Sequence, residues 1–548
     1  MIDSPTSFAG SSYGVGNYAV LNPLNKIGSN ITITNGNLSS SNGSTSHQAA
    51  FSSIALPTSG SFYAEFYSTS SSLSGGLGFG FANIALPTLG GTGEWSAYWN
   101  ASLNLFVNGV QTAYGTQNIS SGDVIKLAFN SSNGYAWVGL NSNWIDSSGG
   151  TTGNPATNTN PTFTISVSGF NLAFLVREYA TSANANFGQQ PFSYTPPSGY
   201  KSLCTYNLPT PTVPNGANYM AATLYTGNGA TQSISNAVNG VIFQPDLVWL
   251  KDRSNAYNHA LQDSVRGALK VLSSSVTDAE YTETNGMNAF LSNGFSFNGD
   301  GYYRVNTNGN TFVGWQWKAG GTAVTNTSGS ITSSVSANTT AGFSVVTYTG
   351  TGSAATVGHG LGVAPSFIIN KGRSNVSGWN VYHSALGGTQ YILLESTQAA
   401  ATNSYVFNNT NPTSTVFSAG LYISGSSVTY VTYCFAAIAG YSAFGSYTGN
   451  GSADGTFVYC GFRPRWIMVK SSSNSYSWFI YDSARDTYNV AQNFLIANGS
   501  QAEAQDVGVD LLSNGFKWRG SDPSFNGSGY TYIYAAFAEN PFAYALAR

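Results

Sequence analysis

The sequence predicts an all-β, multidomain protein in which an N-terminal β-sandwich is followed by three homologous β-rich domains. The chain has 548 residues, enough for several domains, and its apolar fraction of 42% is sufficient for real cores. Short runs rich in Val, Ile, Tyr and Phe alternate with clusters of Gly and Asn, which is the pattern of strands and turns. A unit of roughly ninety residues also occurs three times in the C-terminal part.

The threefold repeat is recognised by motifs that keep a constant order. Each copy begins with Tyr-Thr-Gly, at Tyr225, Tyr348 and Tyr447. In each copy six positions separate a Pro from a Lys, nineteen separate that Pro from a Ser, and five separate the aromatic residues that begin and end the last strand. The period is too long for a solenoid repeat, so we expect each copy to fold its own core, as three beads on one chain.

The composition excludes several classes of function. Charged residues make up only 7% of the chain and the net charge is −3, so no basic stripe is available for nucleic acid. The three cysteines are too few and too scattered for a disulfide framework or a zinc site, and we expect Cys434 and Cys460 to be buried. The longest apolar runs, such as 433–439, are too short to cross a bilayer, and the N-terminus lacks a secretory signal. No cofactor is predicted.

Domain boundaries are predicted where the composition changes. Pro-rich and Gly/Ser/Thr-rich stretches indicate linkers between the strand-rich segments. The first repeat is expected to hinge against the other two, which are separated by only a short turn. The predicted order is an N-terminal arm at 1–30, a sandwich at 31–193, a Pro-rich linker at 194–218, repeat domain 1 at 219–318, a Gly/Ser/Thr linker at 319–341, repeat domain 2 at 342–440 and repeat domain 3 at 441–548.

Four motifs in the N-terminal part occur in the order typical of one family. They are Gly60-Ser61-Phe62-Tyr63-Ala64-Glu65, Gly122-Asp123-Val124-Ile125, Asn143-Trp144-Ile145 and Asn186-Phe187-Gly188-Gln189. Over 31–192 the chain therefore resembles the SPRY family of concanavalin-like sandwiches. It departs from that family at Lys126, where Gly is usual, and at Asn141-Ser142-Asn143, which replaces an Asn-Gly turn. The resemblance implies a binding module that uses the loops at one end of the sandwich.

The combination of modules carries a second resemblance. A SPRY-like sandwich, a Pro-Pro-x-Gly-Tyr-Lys-x-Leu-Cys passage at 196–204 and Tyr-Thr-Gly repeats together resemble large structural proteins of tailed bacteriophages. This implies a component of the virion surface, expected to be a tail fibre or appendage for host recognition, with a capsid-decorating or head-fibre protein as the alternative. The implied partners are other virion proteins and a host cell-surface glycan or protein, without membrane insertion or nucleic acid, and a fibre would be a homotrimer.

The repeated polar residues are the first place to look for catalysis. Ser264, Ser384 and Ser483 follow Asp263, His383 and Asp482, and only His383 is a possible base for a nucleophilic serine. Because the preceding residue varies, we interpret the serines as turn or cap residues, with ion pairs Asp263/Arg266 and Asp482/Arg485 beside them. The repeated Lys251, Lys371 and Lys470 are expected to be snorkelling edge residues. No catalytic or metal-binding residues are therefore predicted.

One neighbourhood in the sandwich suits a sugar ligand. Glu94 lies beside Trp95, Tyr98 and Trp99, and Trp144 is a further candidate. Aromatic rings stack on sugar faces, while acids and amides bind sugar hydroxyls. Two carboxylates that meet in space would suffice for glycoside hydrolysis, so a polysaccharide-degrading phage enzyme is the alternative to a non-enzymatic binding protein.

Overall fold

The computed structural model is almost entirely β, which confirms the predicted fold class. It describes residues 17–69, 76–86, 88–100, 102–114, 118–166, 171–238 and 240–541. The chain divides into two compact units, an N-terminal unit that ends at Thr210 and a C-terminal unit that begins at Pro211. No helix in the described ranges is long and apolar enough to cross a membrane.

The N-terminal unit is a sandwich of two antiparallel sheets. Its strands are β1 (Leu21–Ile27), β2 (Ile31–Thr34), β3 (Ser39–Asn42), β4 (Gln48–Ser52), β5 (Ser61–Ser68), β6 (Leu77–Asn83), β7 (Glu94–Trp99), β8 (Leu103–Val107), β9 (Val110–Tyr114), β10 (Val124–Asn130), β11 (Tyr135–Leu140), β12 (Asn143–Trp144), β13 (Phe163–Thr164), β14 (Leu172–Glu178), β15 (Ser182–Asn186) and β16 (Lys201–Ser202).

One sheet has seven strands in the order β1-β4-β14-β6-β7-β8-β9, and the other has nine, with β12-β11-β10-β5-β15-β3-β2 as its path. Apolar residues alternate along the central strands, so one face of each sheet turns towards the other. Rings meet across the gap: Phe66 lies 5.2 Å from Phe79, and Phe81 lies 5.7 Å from Phe129, between ring centroids. These aromatic contacts form the core of the sandwich.

Two predicted boundaries of this unit are wrong. The predicted arm at 1–30 includes β1, which pairs with β4 at the edge of the seven-stranded sheet; residues 1–16 lie outside the described ranges. The predicted linker at 194–218 is also not free, because β16 pairs in parallel with β5 and Leu203 is fully buried. Both segments were predicted to be irregular because they are rich in Pro and Gly. These residues also occur at sheet edges, so their presence does not exclude a strand.

The C-terminal unit contains the three repeats. Its elements are β17 (Met220–Thr226), β18 (Gln232–Ser235), β19 (Leu247–Asp252), β20 (Ala260–Asp263), β21 (Lys270–Val271), β22 (Tyr281–Thr282), β23 (Met287–Leu291), β24 (Gly294–Phe297), β25 (Thr311–Trp317), β26 (Val324–Asn326), β27 (Ser333–Asn338), β28 (Phe343–Thr349), β29 (Ala355–Gly358), β30 (Phe367–Gly372), β31 (Trp379–His383), β32 (Gln390–Leu393), β33 (Ala401–Thr402), α1 (Ser404–Phe407), β34 (Val416–Ala419), β35 (Thr429–Phe435), β36 (Ser442–Thr448), β37 (Phe457–Tyr459), β38 (Phe462–Ser471), β39 (Trp478–Asp482), β40 (Ala491–Ile496), β41 (Ala504–Leu512), β42 (Gly515–Trp518) and β43 (Thr531–Pro541).

The three repeats share one strand order. The Tyr-Thr-Gly strand pairs with the last aromatic strand, which pairs with the strand that carries the repeated Lys, which pairs with the strand before the repeated Ser. This gives β17-β25-β19-β20, β28-β35-β30-β31 and β36-β43-β38-β39. We call these repeats blade 1 (219–318), blade 2 (319–440) and blade 3 (441–541).

The Tyr-Thr-Gly motif has the same contacts in each blade. Its tyrosine hydroxyl donates to a buried backbone carbonyl, and a Cβ on its glycine would lie only 2.3 Å from another carbonyl oxygen, so no larger residue fits without a shift. The hydroxyl bonds are Tyr225 to Val305 O at 2.7 Å, Tyr348 to Ile423 O at 2.6 Å and Tyr447 to Phe525 O at 2.7 Å.

Equivalent backbone bonds join the blades into a closed ring. Each runs from an N–H of one blade to a carbonyl of the next, three bonds in a cycle, and no free blade edge is left at this position. They are Glu280 N to Arg373 O at 2.8 Å, Ala400 N to Ser472 O at 2.9 Å and Glu503 N to Arg253 O at 2.8 Å.

The blades also share a core, so the prediction of three beads with a hinge is wrong. Blades 1 and 2 each keep a separate outer cluster, whereas one large buried cluster runs through all three. Its centre contains a small apolar cavity of about 10 Å³, and all three blades contribute to its lining: Leu247, Trp249, Leu261, Trp317, Phe367, Ile369, Tyr433, Phe435, Trp466, Met468 and Phe537. Each blade sheet has two apolar faces, and both must be buried. The face that points towards the centre of the ring packs against the neighbouring blades.

The predicted linker at 319–341 is a pair of strands. β26 and β27 extend the sheet of blade 2, with Val335 opposite Val346 in the register. Ser333 and Val335 are buried, and the Ser333 hydroxyl donates to the Gly358 carbonyl at 3.0 Å. Small hydroxyl residues satisfied in this way pack in a strand, although their composition resembles that of a linker.

Candidate functional site

The predicted sugar neighbourhood does not form one cluster. Glu94, Trp95, Tyr98 and Trp99 all lie on β7 and all are buried, with 0 to 4% of their surface exposed. Trp95 and Trp99 pair with the core-facing residues of β6 and belong to the sandwich core. Glu94 and Tyr98 lie on the opposite, outer face of the seven-stranded sheet. Trp144 lies in the other sheet, on β12.

Glu94 is held by three hydrogen-bond donors. The guanidinium of Arg177 donates to its Oε1 at 3.0 Å, the Ser96 hydroxyl donates to the same oxygen at 2.5 Å, and the Gly90 N–H donates to Oε2 at 2.6 Å. The Glu94 side chain is fully buried, and that of Arg177 is 6% exposed. A carboxylate bonded in this way is a structural anchor for the arginine.

Arg177 is the residue of this candidate site that the sequence analysis missed. Its guanidinium carbon lies 4.3 Å from the ring centre of Phe106 and 5.0 Å from that of Tyr98, both within cation–π range. Its Nε is buried and finds no hydrogen-bond partner within the described part of the chain. The charged residues Arg177 and Glu178, which directly follow the apolar run 172–176, were the available signal.

Two aromatic side chains connect this buried arginine to the surface. The exposed ring of His47 lies 5.2 Å from Tyr98 and 5.0 Å from the half-buried ring of Tyr179. Partial burial lowers the pKa of His47, and the charge of Arg177 lowers it further, while Glu94 opposes the shift. We name His47, Tyr98, Arg177, Tyr179 and Glu94 the arginine cluster. It offers the His47 imidazole and the Tyr179 ring above the buried Tyr98 ring and Arg177.

The outer face of the nine-stranded sheet is covered by the chain that follows β15. Glu65 accepts hydrogen bonds from the Tyr63 and Tyr67 hydroxyls, both at 2.8 Å. It also accepts from the backbone N–H groups of Ser193 at 2.8 Å and Tyr194 at 2.9 Å. Four donors on one buried carboxylate fix this segment on the sheet, so Glu65 is structural.

The ammonium group of Lys126 makes a cation–π contact with the ring of Trp144. The Lys126 ammonium lies 4.3 Å from the Trp144 ring centre and 4.9 Å from that of Tyr194. Burial lowers the pKa of Lys126 to about 8, against the opposing charge of Glu65. The lysine that departs from the SPRY pattern therefore holds two aromatic rings in place, and Trp144 is not a free sugar platform.

The family of the C-terminal unit follows from a sequence comparison. The family described as "Domain of unknown function (DUF7483)" matches residues 215–541, which is more than half of the chain. The chain belongs to this family. The DUF7483 match begins close to the start of the C-terminal unit and includes all three blades. No curated protein matches the chain.

Three solved structures are similar to part of the chain. The SPRY domain of human HERC1 has 16% identity and a TM-score of 0.24, and covers 31% of this chain and 99% of its own. The carbohydrate-binding module CBM66 from Bacillus subtilis has 10% identity and a TM-score of 0.20, and the match covers 31% of this chain and 93% of that module. The NEUZ (NHR) domain of Neuralized from Drosophila melanogaster has 14% identity and a TM-score of 0.22, and the match covers 32% of this chain and 95% of that domain. Similarities of this size say nothing about ligands or partners.

The repeated serines of the DUF7483 region lie in turns, as interpreted from the sequence. The N–H of Ser264, Ser384 and Ser483 each donates at 2.8 Å to the carbonyl of the residue five positions before the repeated Lys. The ion pairs predicted beside two of them are also confirmed, with Asp263/Arg266 at 2.5 Å and Asp482/Arg485 at 2.6 Å. These serines close a turn at the end of a strand.

His383, the one base predicted to be possible, faces a carbonyl instead of a serine. Its Nε2 lies 3.1 Å from the Tyr534 carbonyl of blade 3, and its Nδ1 accepts from the Ala385 N–H at 3.1 Å. Because a carbonyl only accepts, Nε2 carries the proton and the ring is neutral. Burial lowers its pKa to about 4.

The repeated lysines of the DUF7483 region are fully buried, so the prediction of snorkelling edge residues is wrong. Lys371 Nζ donates to the Thr277 carbonyl of blade 1 at 3.0 Å, and Lys470 Nζ donates to the Thr397 carbonyl of blade 2 at 3.1 Å. Burial lowers the pKa of Lys251 and Lys371 to about 8 and that of Lys470 to about 7. The neighbouring blade covers each strand end that was expected to face solvent.

The prediction that Cys434 and Cys460 are buried is confirmed, and both are free thiols. Within the described ranges, no three His, Cys, Asp or Glu side chains are grouped so that they could hold a metal ion.

Proposed function

We propose that this chain is a non-enzymatic structural and binding protein of a bacteriophage virion, of the tail-fibre or appendage type. The observation that carries the non-enzymatic part is the use of the repeated polar residues. The repeated serines close turns, while His383, Lys371 and Lys470 bond to carbonyls of a neighbouring blade. A closed ring built in this way suits a rigid support.

The virion part of the proposal rests on the order of the modules. A SPRY-like sandwich, a Pro-Pro passage and Tyr-Thr-Gly repeats follow one another as they do in the phage proteins that the chain resembles. The surface chemistry is compatible with this, because amide and hydroxyl side chains replace the usual charges. A homotrimer, the usual state of a phage fibre, belongs to the same proposal.

We assign host contact to the arginine cluster of the sandwich. The exposed His47 and the half-buried Tyr179 offer two accessible rings beside the buried ion pair of Arg177 and Glu94. Aromatic residues and arginine are the side chains that most often dominate binding energy. The partner is a host-surface glycan or protein that presents a carboxylate or another acceptor.

The test is competition for adsorption. Purified full-length protein, added before the phage that carries it, should reduce adsorption to host cells. The variant His47→Ala/Tyr179→Ala should compete at least about tenfold less well, because it removes the accessible rings without touching the buried ion pair. Tyr206→Ala removes a ring that is 59% exposed elsewhere in the same unit, and it should compete as the wild type does.

Two results would contradict this assignment. Equal competition by the double variant would remove host contact from the arginine cluster. Labelling of the phage head, instead of the tail, by an antibody against the sandwich would favour the alternative of a capsid-decorating protein.

A further inference from the structure

Two blades carry a pair of exposed tyrosine rings. In blade 1, Tyr281 and Tyr302 are 43% and 62% exposed, and their ring centres lie 4.9 Å apart at an angle of 31°. In blade 2, Tyr405 and Tyr422 are 52% and 56% exposed, with ring centres 5.7 Å apart at 48°. Each pair is a joined aromatic surface that the fold leaves in water, which is unusual when burial would be favourable.

Both pairs are built from the same two segments of the blade. The first tyrosine follows the residue that bonds to the next blade, Glu280 in blade 1 and Ala400 in blade 2. The second precedes the residue whose carbonyl accepts from the Tyr-Thr-Gly tyrosine. The positions within the segments differ, however, because Tyr281 is one residue after Glu280 and Tyr405 is five residues after Ala400. If both pairs had been inherited from one ancestral repeat, the tyrosines would occupy equivalent positions in the two blades. They do not, so duplication alone does not explain the two pairs.

Blade 3 provides a natural comparison. Its corresponding segments are 504–508, at the start of β41, and 519–524, and neither contains a tyrosine. Val507 is exposed there, and Arg519 carries a charge paired with Asp510. The blade folds without an exposed tyrosine pair, so the pairs of the other two blades are not needed for folding.

The surroundings of the pairs identify the chemistry of a ligand. The segments of the blade 2 pair, 403–411 and 420–428, contain no charged residue and are rich in Asn, Ser and Thr. At the blade 1 pair, Asp300 and Arg304 form an ion pair at 3.2 Å, and Glu283 accepts from the Tyr302 N–H at 2.9 Å. What the two sites share is therefore two aromatic faces and a polar, hydrogen-bonding rim.

We propose that the two tyrosine pairs bind neutral sugar residues of a polysaccharide. A pyranose ring has one face of C–H groups, and the electron-rich face of a tyrosine attracts the slightly positive hydrogens of that face. The tyrosine hydroxyls and neighbouring amides hydrogen bond with sugar hydroxyls. Nucleic acid is a poor match, because the segments of the blade 2 pair contain no cation that could meet a phosphate beside a stacked base. This inference does not depend on the arginine cluster.

The experiment is affinity electrophoresis of the full-length protein in native gels that contain dextran, mannan, galactan or, for comparison, the uronate polymer alginate. We expect at least one neutral polymer to retard the wild type. Tyr281→Ala/Tyr302→Ala and Tyr405→Ala/Tyr422→Ala should each weaken the retardation by about tenfold, and the quadruple variant should abolish it. Tyr488→Ala removes a single tyrosine of blade 3 that is 79% exposed, and it should migrate like the wild type.

Circular dichroism and unfolding midpoints of all variants should match the wild type, because the mutated rings are surface residues. The proposal is overturned if the three neutral polymers leave the wild type unretarded, if alginate alone retards it, or if the quadruple variant is retarded as strongly as the wild type. His47→Ala/Tyr179→Ala should leave retardation unchanged, which separates this site from the host-contact site of the sandwich.

Discussion

The indole N–H of Trp315 in blade 1 donates to the carboxylate of Asp482 in blade 3 at 3.0 Å, and both side chains are fully buried. The equivalent bond between blades 2 and 1 runs from the Tyr433 hydroxyl to Asp263 at 2.9 Å. One contact, made by a residue of the last strand and the residue before the repeated serine, thus holds two of the three interfaces.

The third interface uses a different solution at the same positions. Blade 3 has Ala535 where the others have Trp or Tyr, and blade 2 has His383 where the others have Asp. With no side-chain donor available, the imidazole bonds to the backbone carbonyl of Tyr534. Leu386 also replaces the arginine of the other blades. At this interface both members of the Asp/Arg ion pair are therefore absent, and the uncharged residues His383 and Leu386 take their places.

We expect Arg485→Met to destabilise the protein by about 3–5 kcal/mol, because it leaves the carboxylate of Asp482 buried without its cation. The double variant Asp482→His/Arg485→Leu, which reproduces blade 2, should cost clearly less. Chemical unfolding monitored by tryptophan fluorescence measures both. Arg304→Met is the matched control, because it breaks an ion pair whose arginine is 57% exposed and should cost at most about 1 kcal/mol. Equal costs for Arg485→Met and Arg304→Met would contradict the argument.

The buried histidines should make the C-terminal unit sensitive to acid. Burial lowers the pKa of His383 to about 4 and that of His259 to about 3. A lowered pKa in the folded state means that stability is full above the unfolded pKa of about 6.5 and falls as the pH approaches 4. For His383 the loss is about 3 kcal/mol, at 1.36 kcal/mol per pKa unit.

His383→Gln keeps a donor and an acceptor but does not titrate. The difference in unfolding free energy between wild type and this variant should therefore change in favour of the variant between pH 7 and pH 4.5. A difference that stays constant over this range would mean that His383 is not buried in its neutral form.

The sequence predicted the elements of the repeats but not their assembly. Constant spacing between Pro, Lys and Ser identified three copies and their strand order, because those residues recur at fixed points of one sheet. The contacts between copies involve residues that differ from copy to copy. Trp379 and Trp478 each donate an indole N–H to the preceding blade, whereas His259 occupies that position in blade 1 and bonds to the Ile496 carbonyl. The repeated Lys371 and Lys470 also bond to the preceding blade, but their spacing along the chain does not reveal that contact.

The candidate site was predictable only in part. Glu94 and Tyr98 were found because they lie together in the sequence, and they do lie together on one face of β7. Alternation along the strand sends Trp95 and Trp99 to the core, which adjacency in sequence does not reveal. Arg177 lies on β14, which is separated from β7 by β6, and only the sheet order brings it to Glu94.

Glu178 should make the sandwich less stable as the pH rises. Burial raises the pKa of its carboxyl to about 8, although the Ser40 hydroxyl donates to Oε1 at 2.5 Å and opposes the shift. A raised pKa means that stability is full below the unfolded pKa of about 4.5 and is lost as the pH passes 8. The loss is up to about 5 kcal/mol. Unfolding at pH 5 and pH 9 should reveal it in the wild type, while Glu178→Gln should have a smaller pH dependence. Parallel pH profiles would contradict a buried, protonated Glu178.

Glu94 should behave as a structural residue in the test that separates a binding protein from a polysaccharide-degrading enzyme. Glu94→Ala leaves the Arg177 guanidinium buried without its only carboxylate partner among the described residues, so we expect a loss of about 3–5 kcal/mol in unfolding free energy. Glu94→Gln keeps acceptors for Ser96 and Gly90 but removes the charge, so its cost should be smaller. In reducing-sugar assays with host polysaccharide we expect no release by the wild type. Release by the wild type that Glu94→Gln abolishes, while the variant stays folded at the assay temperature, would make this carboxylate catalytic and the non-enzymatic proposal wrong.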